Sequence, residues 1–227
     1  MKKYFVLLFI VSLLVLTGCM KNPNIIFKND YEEVNGKTNA SGKVHRSVNI
    51  IDDNPFEEVS AADIVKKIEN KETFYVYFGS RLCPWCRSVI ESACKIATMR
   101  GISKIYYVDI WDDEGNEILR DKYSLDEDNK PKLDQDGTSE YKKLIESFES
   151  LLSDYTLTDE NGKTVDVHEK RIYAPNYMFI DKGVLKKLVT GNSDKLTDSR
   201  GELTEEIIKD QEEIFDDFFT EVCDEAC

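Results

Sequence analysis

The sequence predicts an α/β domain: a central mixed sheet flanked by helices, with an enlarged helical plus hairpin insertion before the last strand pair. Three features predict it. Short β-branched and aromatic runs alternate with helical periodicities over residues 56–110, the order expected of parallel strands joined by crossover helices. Further on, apolar runs at 172–180 and 184–189 flank Asp181-Lys182-Gly183, which reads as two antiparallel strands and a tight turn. A long acidic helix from Leu203 then closes the chain, with Ile207, Ile208, Ile214, Phe215, Phe218, Phe219 and Val222 on its inner side.

The elements follow in order. Residues 20–53 are polar and rich in Asn, Lys, Gly and Ser; they read as a flexible tether with at most a short strand at 48–51. Ser60 and Asp63 have capping-box spacing, and Ala61, Ile64, Val65 and Ile68 recur at helical intervals up to Asn70 and Lys71. Residues 73–78 form a β-branched and aromatic run suited to a buried strand. A loop at 79–82 leads into Cys83-Pro84-Trp85-Cys86, after which Val89, Ile90, Ala93, Ile96 and Ala97 mark a helix stopped by Gly101. Residues 104–110 supply the next strand. In the insertion, about 112–170, the pattern suggests a helix at 112–122, an acidic loop at 124–137 and a second helix at 139–153. Asn161-Gly162 then signals a hairpin between 155–159 and 163–167.

The N-terminus reads as an export signal. Lys2 and Lys3 precede an apolar run at 4–16 that is too short to span a bilayer. Leu16-Thr17-Gly18-Cys19 resembles the lipobox of bacterial lipoproteins, which implies cleavage before Cys19 and a lipid on its thiol. An ordinary secretory signal is the alternative. The expected organisation is a signal at 1–18, a lipid-anchored tether at 19–53 and a folded domain at 54–227, on the extracytoplasmic face of the membrane. A formal charge of −14, which includes both signal lysines, argues against nucleic acid and against an anionic membrane surface as partners. Export also places the six cysteines where disulfides persist.

Cys83 and Cys86, two residues apart at a helix start, have the spacing of a redox pair. The unpaired N–H groups and the dipole of the first turn favour a thiolate on Cys83, while Cys86 lies one turn in. Pro84 suits the first helical turn, where its missing N–H has no partner to lose. A purely structural disulfide is one alternative, and half of a zinc site completed by Cys223 and Cys227 is another.

Strand, Cys-x-x-Cys at a helix start, strand, a lone proline opening a hairpin strand, and a terminal helix together resemble the thioredoxin superfamily, over about residues 56–222. Phe78-Gly79-Ser80 before the motif and Ala174-Pro175 beyond it are similar to thioredoxin-like lipoproteins and bacteriocin-transport-accessory-like proteins of Gram-positive bacteria. The resemblance implies that Cys83 attacks and Cys86 resolves, and that Trp85 shields the pair and meets substrate. It also implies that Pro175 is a cis-proline against the sulfurs, with Ala174 offering its backbone to a substrate strand. The partners it implies are thiols and disulfides of exported proteins or peptides, together with a redox partner protein, and no cofactor. A non-catalytic accessory, for example to a peptide exporter, is the competing function.

One position departs from the family. Where thioredoxins carry a buried acid six residues before the first cysteine, this chain has Tyr77; Asp109 and Lys104, on the next strand, are candidates to compensate. Cys94 reads as a small buried hydrophobe. Cys223 and Cys227 read as a terminal clasp, with pairing of Cys94 to either left open. His45 and His168 are isolated, and the acidic 126–136 segment lacks the alternation of a calcium loop.

Overall fold

The computed structural model describes residues 22–226, with side chains through residue 220. The expected signal, Cys19 and Cys227 lie outside the described residues, as does the side chain of Cys223. Within them the chain is an α/β domain whose central mixed sheet is flanked by helices. No helix among the described residues is long and apolar enough to cross a membrane.

The chain enters through helix α1 (Pro23–Glu33) and strand β1 (Phe56–Glu58), followed by helix α2 (Ala61–Glu69) and strand β2 (Phe74–Gly79). Helix α3 (Pro84–Met99) carries the cysteine motif and leads to strand β3 (Ile105–Asp109). The insertion contributes hairpin β4 (Lys122–Leu125) and β5 (Pro131–Gln135), helix α4 (Ser139–Phe148), and hairpin β6 (Ser153–Thr158) and β7 (Thr164–Arg171). Strands β8 (Asn176–Asp181) and β9 (Val184–Val189) and helix α5 (Glu205–Ala226) complete it. The main sheet runs β1-β3-β2-β8-β9. β1, β3 and β2 are mutually parallel, and β8 and β9 turn back antiparallel.

Alternation along β2 divides the core into two layers. Phe74, Val76 and Phe78 face α2 and α4 with Ile64, Leu144, Phe148 and Met178. Tyr75 and Tyr77 face the other way, toward α3 and α5. The capping box is present: Ser60 Oγ accepts from Asp63 N at 3.2 Å and Asp63 Oδ2 accepts from Ser60 N at 3.1 Å. Gly101 ends the loop after α3 at φ +70°, a left-handed conformation that glycine adopts freely.

The segment expected to be a tether is folded from Pro23 onward. Asn22 caps α1 by accepting from Asn24 N, and Pro23 occupies its first turn. Its average polarity conceals a stripe at helical spacing, Phe27, Tyr31 and Val34, all buried. Phe27 stacks on Phe56 with ring centroids 4.6 Å apart and meets Tyr107 edge-on at 5.1 Å. The following stretch is extended, and the strand expected at 48–51 does not form. Val48 instead pairs through both its N–H and C=O with the Asn35 side chain, and Val48 and Ile50 are buried.

Arg87, in the second turn of α3, anchors this segment. Its side chain is 1% exposed. Nε donates to Arg46 O at 2.7 Å, and Nη1 donates to Tyr31 O at 2.8 Å and Arg81 O at 3.0 Å. Nη2 donates to Asn35 Oδ1.

Two further expectations are corrected. Residues 112–122 are not a helix: Asp112 Oδ1 accepts from the N–H groups of Glu114 and Asn116, and this side-chain competition favours a turn. Residues 124–137 are not a plain loop but hairpin β4–β5. Asp126 Oδ1 accepts from Asp128 N and Lys130 N, and Asn129 takes φ +58° to close the turn.

Phe27→Ala tests the folded N-terminal segment. It should cost about 3–5 kcal/mol in urea unfolding, as expected for deleting a buried phenyl ring. An unchanged midpoint would return residues 22–53 to the role of a tether.

Candidate active site

Parallel β2 ends at Gly79 beside Asp109 of β3, and the chain crosses in three residues to α3. Cys83 is the N-cap of that helix, in extended conformation at φ −73° and ψ 121°, and Pro84 opens the first turn. Cys83 is 4% exposed and Cys86 fully buried. The pair expected to bridge is not bridged; both are thiols, the reduced form of the motif.

Residues far apart in the sequence converge on Cys83. Its Sγ lies 3.6 Å from Ala174 O and donates to it, and the Ala174–Pro175 peptide bond is cis. Pro175 is buried and Ala174 half-buried at the lip. The structure thus brings Cys83, Cys86, Pro84, Ala174 and Pro175 together, with Trp85 half-buried against the same core. Cys94 stands apart on α3 as a buried free thiol, its pKa pushed up by burial.

The two thiols are polarised in opposite senses. The Cys83 pKa is lowered, chiefly by a hydrogen bond from the Cys86 thiol, against the opposing effect of burial. The backbone N–H groups of Cys86 and Trp85 and the charge of Arg120 add to the lowering. The Cys86 pKa is pushed well up, first by burial and then by its bond to Cys83. Tyr77 and the Ser80 backbone, both hydrogen-bonded to Cys86, partly offset that rise.

A row of tyrosines backs Cys86. Tyr77 of β2 lies between Tyr107 of β3 and Tyr177 of β8 in register, with ring centroids 5.3 and 4.3 Å away. Tyr31 of α1 completes the group, its hydroxyl 2.8 Å from that of Tyr77. The Tyr107 hydroxyl donates to Asp109 Oδ2 at 2.7 Å, and burial raises the Asp109 pKa. Asp109, Glu58, Tyr31 and Trp111 line a cleft of ≈ 1130 Å³ between α1 and the 111–118 loop. That cleft lies beside the cysteines, not over them, since neither sulfur lines it.

On the other flank, the insertion holds the cis-proline loop. Arg120 Nη1 donates to Ile172 O at 3.1 Å and Arg171 Nη1 to Asp121 O at 2.7 Å. Glu117 sits between the two arginines, 2.6 Å from Arg120 Nη2 and 3.7 Å from Arg171 Nη2, all three nearly fully buried. Trp111 Nε1 also donates to Glu117, at 3.3 Å.

The sequence reading missed Tyr31, Arg87, Glu117 and Arg120. Tyr31 carried a signal in its spacing from Phe27, and Arg87 in being a charge on the apolar side of α3. The other two carried none. No cluster of three or more His, Cys, Asp or Glu among the described residues is arranged to hold a metal. No protein-family model matches the chain, and no curated protein matches it either.

A lowered pKa on Cys83 and a raised one on Cys86 make alkylation selective. Thiolate is the reactive form, so Cys83 should reach half its maximal rate with iodoacetamide below the pH of about 8.5 typical of a free cysteine. Cys86 and Cys94 should stay unlabelled in the native protein across neutral pH, as read by peptide mass spectrometry. Equal labelling of Cys83 and Cys86 would contradict the polarisation.

Proposed function

We propose that this chain is a thioredoxin-like thiol–disulfide oxidoreductase acting on exported proteins or peptides. In this reading a lipid on Cys19 holds it at the extracytoplasmic face of the bacterial membrane. The observation that carries the reading is Cys83 Sγ at 3.6 Å from Ala174 O beside the cis Ala174–Pro175 bond. A dithiol kept only as a structural staple has no need of a loop carbonyl at its outer sulfur. A strand of substrate does, because pairing with the Ala174 backbone lays its own sulfur against Cys83.

In the reducing direction, the Cys83 thiolate attacks a substrate disulfide. One substrate sulfur bonds to Cys83 and the other leaves as a thiolate. Cys86 then attacks the Cys83 sulfur, forming the Cys83–Cys86 disulfide, and the second substrate thiol departs with the proton that Cys86 gives up. Oxidation of substrate is the same sequence reversed. A redox partner protein restores the starting form by the same exchange. Pro84 starts the helix that stabilises the Cys83 thiolate, and Trp85 and Pro175 shield the pair from solvent.

The competing reading, a binding module without turnover, is favoured by the 4% exposure of Cys83. Trapping separates the two. Cys86→Ala should accumulate mixed disulfides between Cys83 and exported proteins, released by a reducing agent, and Cys83→Ala should accumulate none. If neither variant traps a partner, the accessory role stands in place of the enzyme.

The anchor has its own test. Wild type should enter the detergent phase on partitioning and carry an acyl chain at Cys19 by mass spectrometry. Cys19→Ala should remain in the aqueous phase; equal partitioning of the two would remove the lipid from the proposal.

A further inference from the structure

Cys86 poses a problem that Cys83 does not. To resolve a mixed disulfide it must attack as a thiolate, yet it is wholly buried and its thiol is held protonated by burial. A charged carboxylate beside it would make matters worse until it took up a proton. What stands there is Tyr77, buried in the same cluster as Cys86, whose hydroxyl lies 2.8 Å from the Tyr31 hydroxyl and offsets part of the rise in the Cys86 pKa.

We propose that Tyr77, backed by Tyr31 of the N-terminal helix, is a neutral hydrogen-bond donor pair that stabilises the Cys86 thiolate in the resolving step. This rests on the oxidoreductase reading above and adds a catalytic residue, Tyr77, and a positioning residue, Tyr31. Tyr31 donates to Tyr77 and Tyr77 donates to the sulfur, so each hydroxyl polarises the next. Neither tyrosine acts as a base. Burial raises the pKa of both well above the usual phenol value, so both keep their protons, and the proton lost by Cys86 leaves with the departing thiol or to solvent. Atoms and charge balance without any further group.

Gly79 makes the geometry accessible. Tyr77 and Gly79 point to the same face of β2, and the Tyr77 ring folds over the glycine. A Cβ at position 79 would fall 2.2 Å from both Cζ and the hydroxyl oxygen of Tyr77. Any side chain there displaces the hydroxyl from its place. Tyr31 arrives from a helix 46 residues earlier in the chain, so the N-terminal segment would belong to the active site and not only to its support.

The test uses the full reduced chain carrying Cys19→Ser, Cys94→Ser, Cys223→Ser and Cys227→Ser, mixed with the coloured disulfide dithiobis(nitrobenzoate). Attack by Cys83 releases one coloured thiolate, and attack by Cys86 on the resulting adduct releases a second, so the two cysteines report as separate phases. Tyr77→Phe should leave the first phase unchanged and slow the second about tenfold near neutral pH, moving its pH midpoint up by about one unit. Tyr31→Phe should slow the second phase less, and the double variant should be no slower than Tyr77→Phe alone, since Tyr31 acts through Tyr77. Gly79→Ala, which keeps both hydroxyls but moves one, should reproduce the Tyr77→Phe pattern. An unchanged second phase in Tyr77→Phe, or equal slowing of both phases, would overturn the donor pair and leave the oxidoreductase reading intact. Absence of the first phase in the parent protein would overturn that reading itself.

Discussion

Arg87 is the group on which the arrangement around the cysteines depends. It follows Cys86 directly, and its guanidinium is buried among four neutral acceptors: three backbone carbonyls and the Asn35 side chain. Removing a cation from water costs several kcal/mol even after relaxation. That cost is tolerated because charge-assisted bonds run to every side of the planar fork. Two of the acceptors, Tyr31 O and the Asn35 side chain, lie at the C-terminal end of α1, where the helix dipole favours a positive charge. The same residue thus seats α1 and the 46–50 stretch on α3. Phe27 and Tyr31 are thereby held against the tyrosine row behind Cys86.

The insertion does on the Cys83 side what Arg87 does on the Cys86 side. Arg120 and Arg171 each commit a donor to backbone: Arg171 holds the Asp121 carbonyl, and the Ile172 carbonyl that Arg120 fixes lies two residues before Ala174. Glu117 is shared between them, and Arg120 is close enough for its charge to lower the Cys83 pKa. Two buried polar assemblies therefore support the pair, one in which Arg87 of α3 binds the N-terminal segment and one built by the insertion and Arg171. Neither assembly touches a sulfur through a charged atom. Arg120 acts on Cys83 through its charge, and each assembly also helps to place an uncharged group, a carbonyl at Cys83 and a hydroxyl near Cys86.

Most of the core was legible in the sequence because it is written in short-range terms. Capping spacing at Ser60 and Asp63, alternation through β2, the turn at Asp181-Lys182-Gly183 and the Asn161-Gly162 hairpin each depend on residues a few positions apart. Cys83, Cys86 and Pro175 were legible for another reason, since their types are tied to the chemistry. What stayed hidden was long in range or contrary in polarity. The Tyr31–Tyr77 contact spans 46 residues; Arg87 stands out as a charge on the apolar side of α3, but the carbonyls it binds come from distant segments. The apolar stripe of α1 is only three residues wide, too narrow to lift a polar segment above its composition. Hairpin β4–β5 has little burial on either face, so no alternation announced it.

A chain with a formal charge of −14 is an unfavourable host for a thiolate, because the summed field opposes negative charge. Distance and screening decide how much that matters. Most of the carboxylates are solvent-exposed, where ions screen them over about 10 Å. Cys83 and Cys86 are buried, and inside the protein nearby groups act through a lower effective dielectric. For Cys83 the local inventory decides: the Cys86 thiol, the N–H groups of the first turn and the charge of Arg120 lower its pKa, while at Cys86 the Tyr77 hydroxyl and the Ser80 backbone offset only part of the rise that burial causes. Asp109 is half-buried at the end of β3, and the Tyr107 hydroxyl and the Trp111 N–H donate to its two oxygens. Burial raises its pKa, and a carboxylate at the fully buried position 77 would meet at least the same penalty, which a neutral hydroxyl avoids.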